Sequence, residues 1–103
     1  MNNRFEGMLG LAAKAGAVVS GEFSVEQALK KGKADLVIIA GDASENTKKH
    51  FNDMCSFRNI PVYVVSTKYK LGHCIGRGER ASIGILDRIF ARKLISMIQE
   101  GLI

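Results

Sequence analysis

The sequence predicts an α/β fold, a three-layer α/β/α sandwich around a four-stranded sheet. Apolar runs of strand length alternate with longer stretches in which apolar residues recur every three or four positions. The runs DLVIIA (35–40) and VYVV (62–65) are continuous, as strands covered on both faces are. Glycines, capping residues and one proline fall between these segments, where turns need them.

Residues 4–15 read as the first helix, with Phe5, Met8, Leu9 and Ala12 on one stripe and Gly16 as its left-handed stop. AVVS (17–20) is a short strand. The second helix is expected to begin at Ser24: Ser24 and Gln27 have capping-box spacing, Phe23 and Ala28 stand at staple positions, and Gly32 ends it. After strand 35–40 comes a loop and helix with Thr47, Phe51, Met54, Cys55 and Arg58 on one side. Asp42, Ser44 and Glu45 stand where its first amides need acceptors. Pro61 opens strand 62–65, where its missing N–H does little harm. A short helix over 68–76 ends at glycine, and ASIGIL (81–86) alternates Ala81, Ile83 and Ile85 with Ser82 and Gly84, a strand pattern. Asp87 caps a last helix whose apolar residues are Ile89, Phe90, Leu94, Met97 and Ile98. In such a fold a ligand sits outside the strand ends, here near Gly21 and Gly41.

Composition narrows the function. At 103 residues, 47% hydrophobic and 24% charged, the chain reads as one globular domain. No apolar run approaches the length of a membrane span, and the first ten residues lack a secretory pattern, so a cytoplasmic protein is expected. Cys55 and Cys74 are then expected as free thiols. The net charge of +5 is concentrated between Lys68 and Lys93, where seven basic residues face two acids. A one-sided positive field attracts polyanions, with nucleic acid the first to consider.

Catalytic and metal chemistry find little support. Zinc wants four ligands, and His50, Cys55, His73 and Cys74 include no C-x-x-C pair. Neighbours on one helix, such as His73 and Cys74, point apart and make a poor nucleophile–base pair. GRGE (76–79) leads into a strand instead of a helix, which disfavours nucleotide binding. No cofactor, metal or catalytic residue is expected. The basic constellation does better. Gly21 opens a helix terminus, Lys30 and Lys31 lie on that helix, and Gly76, Arg77, Gly78 and Arg80 form a tight basic loop. Amides, lysines and arginines around glycines suit phosphate positioning. Most of the five phenylalanines and two tyrosines stand at core-periodic positions. A base-stacking platform is therefore not expected, and recognition of a folded backbone shape is.

Three separated stretches carry a family resemblance: GLAAKAGAVVSGE (10–22), DASENTKK (42–49) and LGHCIGRGER (71–80). In order and spacing they resemble the small bacterial YlxQ-type proteins of the L-seven-Ae and L-thirty-e ribosomal protein superfamily. The resemblance implies a mixed sheet with one antiparallel strand, and binding of structured RNA, ribosomal RNA included. In many relatives the RNA is a kink-turn, held by a G-x-N-E-x-x-K segment at the start of helix two and by the loop before the last strand. Here Gly21 keeps the glycine, while Phe23, Ser24 and Gln27 stand where asparagine, glutamate and lysine would. Lys31 supplies a basic residue one turn later, and the second loop corresponds to Arg77–Arg80. The implied RNA-binding set is Gly21, Phe23, Ser24, Gln27, Lys31, Gly76, Arg77, Gly78 and Arg80. The alternative is a protein-interaction module that docks on a translation or transcription factor, with Phe23 as its apolar anchor.

Overall fold

The computed structural model describes residues 4–101. Five helices and four strands follow one another: α1 Arg4–Lys14, β1 Val18–Ser20, α2 Glu22–Lys30, β2 Leu36–Ile39, α3 Glu45–Arg58, β3 Val62–Val64, α4 Lys68–Cys74, β4 Ser82–Ile85 and α5 Arg88–Gln99. The strands form one sheet in the order β1-β4-β2-β3. β2 and β3 are parallel, and β4 runs antiparallel to both of its neighbours. The sheet is therefore mixed, with β4 as its single reversed strand. α1 packs on α4 and α5, and α2 packs on α3, so helices cover both sheet faces.

The core is aliphatic. Leu36–Ile39 of β2 and Ser82–Ile85 of β4 are buried along their whole length, and Phe5, Leu9, Val25, Phe51, Leu71 and Leu94 close on them from the helices. Each such side chain contributes about 1.5–3 kcal/mol by leaving water. Among the described residues no helix is long and apolar enough to cross a membrane.

Four expectations need correction. α2 starts at Glu22, two residues before Ser24, and its N-cap is Gly21 with no side-chain cap. The reason is the abrupt turn out of β1. Gly21 adopts φ 91°, ψ 157°, a conformation all but closed to residues with a Cβ, and this feeds strand into helix without a lead-in. Ser24 therefore lies inside the first turn and forms no capping box. Phe23 is 74% exposed instead of packed as a staple.

Asp42 does not cap α3. That cap is Ser44, whose Oγ accepts from Thr47 N–H at 3.1 Å. Asp42 Oδ1 instead accepts from Lys68 N–H at 2.8 Å, across 26 residues, and so fixes the start of α4.

β4 does not alternate between core and solvent. Ser82 and Gly84 are as buried as Ile83, because α2 covers their face. A Cβ on Gly84 would lie 3.1 Å from Val19 and 3.7 Å from Val25. The small residues mark close helix–sheet packing, which a two-period pattern cannot be told from by hydropathy alone. Finally, Ile89 is exposed, and α5 buries Ala91 and Leu94 in its place.

Candidate nucleic-acid interface

Sheet topology brings two distant segments together. In the β1–β4 register Ser20 lies opposite Ile83. The exit of β1 into α2 is therefore beside the entry to β4, the loop 75–81. Gly21 N–H donates to the Ser82 carbonyl at 3.0 Å, and the first α2 bond is Val25 N–H to the Gly21 carbonyl at 3.0 Å. The amides of Glu22, Phe23 and Ser24 precede that bond, so an α-helix offers them no partner of its own. They carry the positive end of the helix dipole.

The basic loop is anchored at that terminus. Arg80 Nε donates to Ser20 Oγ at 3.0 Å, and its Nη1 donates to the Glu79 carbonyl at 2.9 Å. Arg80 N–H donates to the Lys68 carbonyl at 3.1 Å, and Arg77 N–H to the Gly72 carbonyl at 2.8 Å. A cleft of about 360 Å³ lies between the segments, and Ser20, Ser24, Arg77 and Arg80 share its lining. The two candidate halves thus converge on one shelf.

A second groove, about 420 Å³, runs along the outer side of α2 and is lined by Phe23, Ser24, Gln27, Lys31 and Lys33 among others. Ser24 lines both. Of the sequence-derived residues, Ser24, Arg77 and Arg80 meet in the first cleft, and Phe23, Gln27 and Lys31 lie along the second. Gly21 shapes the join. Gly76, at φ 74°, turns the chain out of α4 and lines a separate groove beside α1. Gly78 lies outside both clefts, its carbonyl packed against Gly72. A Cβ on Gly72 would fall 1.7 Å from the Gly78 oxygen and 2.7 Å from its carbon. Gly72 therefore lets the basic loop fold back onto α4. Sequence reasoning missed it, because a glycine inside a helical stretch carries no pattern naming its partner.

The acids of α2 occupy another flank. Glu26 Oε2 lies 2.6 Å from His50 Nε2, and ligand atoms of Glu22, Glu26 and His50 all fall within 4.8 Å of one another. This group, also unforeseen, ties α2 to α3, and neither glutamate lines the Arg77–Arg80 cleft. The thiols offer no ready nucleophile. Burial pushes the Cys55 pKa up to about 11, against a smaller lowering by Arg58. Burial and the nearby Glu6 raise that of Cys74.

Comparison with known proteins is decisive for kinship. The profile of the ribosomal protein L7Ae/L30e/S12e/Gadd45 family matches residues 3–94. The chain belongs to this family. It is 40% identical over 91 residues to the RNA-binding protein YlxQ of Bacillus subtilis, covering 88% of this chain and 91% of that protein. It is 33% identical over 99 residues to the large ribosomal subunit protein eL30 of Sulfurisphaera tokodaii, covering 94% and 92% of the two chains. A solved structure of a Bacillus halodurans protein of unknown function superposes with a TM-score of 0.91 at 42% identity, covering 93% of this chain and 97% of that one.

Proposed function

We propose that this family member binds structured RNA without altering it chemically, through the shelf between the α2 N-terminus and the Arg77–Arg80 loop. The observation that carries this reading is the Arg80–Ser20 bond at 3.0 Å, which fixes a guanidinium beside an uncapped helix terminus. Amides of Glu22, Phe23 and Ser24 suit a phosphate, since they point outward with the helix dipole behind them. Arg77 and Arg80 add planar donors that suit phosphate oxygens bidentately. Gly76 turns the chain out of α4 into this loop, Gly78 leaves room beside the Arg80 guanidinium, and Lys31 extends the positive surface along α2. The RNA-binding name of the Bacillus subtilis relative and the ribosomal name of the archaeal one support an RNA partner of ribosomal type, and with it a cytoplasmic site of action.

Specificity follows from what occupies α2. Phe23 has no polar side-chain atom to read a base edge, and Ser24 and Gln27 are neutral where the family resemblance implies glutamate and lysine. Base-edge contacts are worth about 1–3 kcal/mol each, so kink-turn selectivity is reduced and backbone shape takes its place.

Gel-shift titration against ribosomal RNA fragments over a salt series tests the reading. Binding is expected to weaken steeply with salt, and Arg77→Ala with Arg80→Ala to lower the slope by about two units. Arg58→Ala is the control, because Arg58 is engaged with the Met54 carbonyl at 3.2 Å and with the Phe57 ring at 5.4 Å. Salt-independent binding, or none at low salt, overturns it.

A further inference from the structure

Phe23 is unexplained by phosphate binding. It is 74% exposed, opposite the buried Val25, Ala28 and Leu29 of its own helix, so it adds nothing to the core. It forms the wall of the outer α2 groove, whose floor includes Val19, Ala28 and Leu86 and whose remaining lining includes Gln27, Lys31 and Lys33. No acid lines this groove, and neither lysine is in an ion pair among the described residues.

We propose that this groove takes an unpaired nucleobase, stacked on Phe23, with its flanking phosphates on Lys31 and Lys33. A base in such a position needs a π-face to lie against, an apolar floor, a hydrogen-bonding group at its edge and cations for its backbone. The groove supplies all four, Gln27 being the edge group, since a carboxamide can both donate and accept. A protein anchor would use the ring and the floor but leave two uncompensated lysines at the contact. Bases inside a duplex cannot reach the ring, so the RNA class is one with a bulged or looped-out nucleotide next to the helix held by the shelf. The groove lies on the flank of α2 that carries Lys31, and Val19 and Ser24 are the residues it shares with the Arg77–Arg80 cleft. One RNA can therefore span both. The inference rests on the RNA-binding reading above and adds a role for the Phe23 ring, since that reading uses only the backbone amide of this residue.

The test uses the full chain and two RNA hairpins of identical stem, one fully paired and one with a single-nucleotide bulge. Phe23→Ala, which removes the ring and keeps the amide, is expected to weaken binding of the bulged hairpin by about five- to a hundredfold more than binding of the paired one. The exposed ring makes the substitution harmless to folding. The protein contains no tryptophan, so Phe23→Trp introduces one fluorophore, whose emission should be quenched by the bulged hairpin and not by the paired one. Equal effects of Phe23→Ala on both hairpins, or unchanged Trp emission at saturating bulged RNA, overturn the stacking proposal while RNA binding stands. Failure of the unsubstituted protein to bind either hairpin overturns both. Protein capture that survives nuclease and is lost in Phe23→Ala, with RNA affinities unchanged, assigns the ring to a protein partner and overturns the proposal as well.

Discussion

Arg80 reaches back 60 residues to bond Ser20 through its Nε, at 3.0 Å, and so joins the loop before β4 to the last residue of β1. Together with the bond from Nη1 to the Glu79 carbonyl at 2.9 Å, it limits the rotamers of a side chain that is otherwise long and mobile. Preorganisation of this kind lowers the ordering cost of binding. Ser20→Ala is expected to weaken RNA binding about two- to tenfold, the worth of one hydrogen bond of ~0.5–1.5 kcal/mol, without changing the salt slope. Arg80→Ala should weaken it further and reduce the slope by about one unit, as loss of a phosphate contact does. Filter binding at several salt concentrations separates the two effects, and a Ser20→Ala slope equal to that of Arg80→Ala contradicts the assignment.

Gly72 and Gly7 make a matched pair of helical glycines with opposite expected responses. Alanine in a helix interior gains roughly 1 kcal/mol over glycine. At Gly7 a Cβ meets nothing within 4 Å, so Gly7→Ala should stabilise by about 0.5–1 kcal/mol. At Gly72 the Cβ would lie 1.7 Å from the Gly78 oxygen, an overlap that must displace the basic loop. Overpacking costs ~1–3 kcal/mol and outweighs the propensity gain, so Gly72→Ala should unfold at lower urea and bind RNA more weakly. Urea melts of the two variants settle the sign.

The first turns of α2 can be rewritten without touching the core, since Phe23 and Ser24 are exposed and Gln27 is half-buried. Restoring the segment implied by the family resemblance, with Phe23→Asn, Ser24→Glu and Gln27→Lys together, is expected to raise affinity for a kink-turn RNA by about tenfold or more, on the scale of ~1–3 kcal/mol per base contact. Isothermal titration measures it. An unchanged affinity would move the determinant of specificity away from α2.

Cys55 makes stability fall in alkali. Its thiol is fully buried and its pKa is raised from 9.0 to about 11, chiefly by burial. As pH rises, the unfolded chain loses this proton first and gains relative to the folded one. The contribution is thus fully present below pH 9 and lost as pH climbs through about 11. Urea midpoints across this window should decline more in the unsubstituted protein than in Cys55→Ala, and parallel curves would assign the decline elsewhere.

Much of the architecture could be read from local signals. Asp87 caps α5 by accepting from Phe90 N–H at 2.9 Å, and Gly16 and Gly32 adopt the positive φ expected of helix stops. What local signals misread, tertiary contacts decided. Ser24 and Gln27 have capping-box spacing, yet Gly21 begins the helix because β1 must turn into it at once. Ser82 and Gly84 look like a solvent face until α2 lies on them. Phe23, at a staple spacing in the sequence, stands out in water, and with Phe57 and Tyr69 also exposed the aromatics are less confined to the core than their periodicity implies. Arg77 and Arg80 were legible as a basic loop from their glycines. Gly72, which seats that loop, was not, because its role is an absent atom opposite Gly78.

The pairing of β1 with β4 has a consequence for how the molecule matures. Ser20 and Arg80 can meet only after a ladder between two ends of the chain has closed, and such distant pairings form late. A nascent chain that has not yet delivered β4 carries only half of a binding surface and is blind to its polyanion. Once the ladder closes, the ligand becomes a clasp across it, and occupancy should slow its reopening.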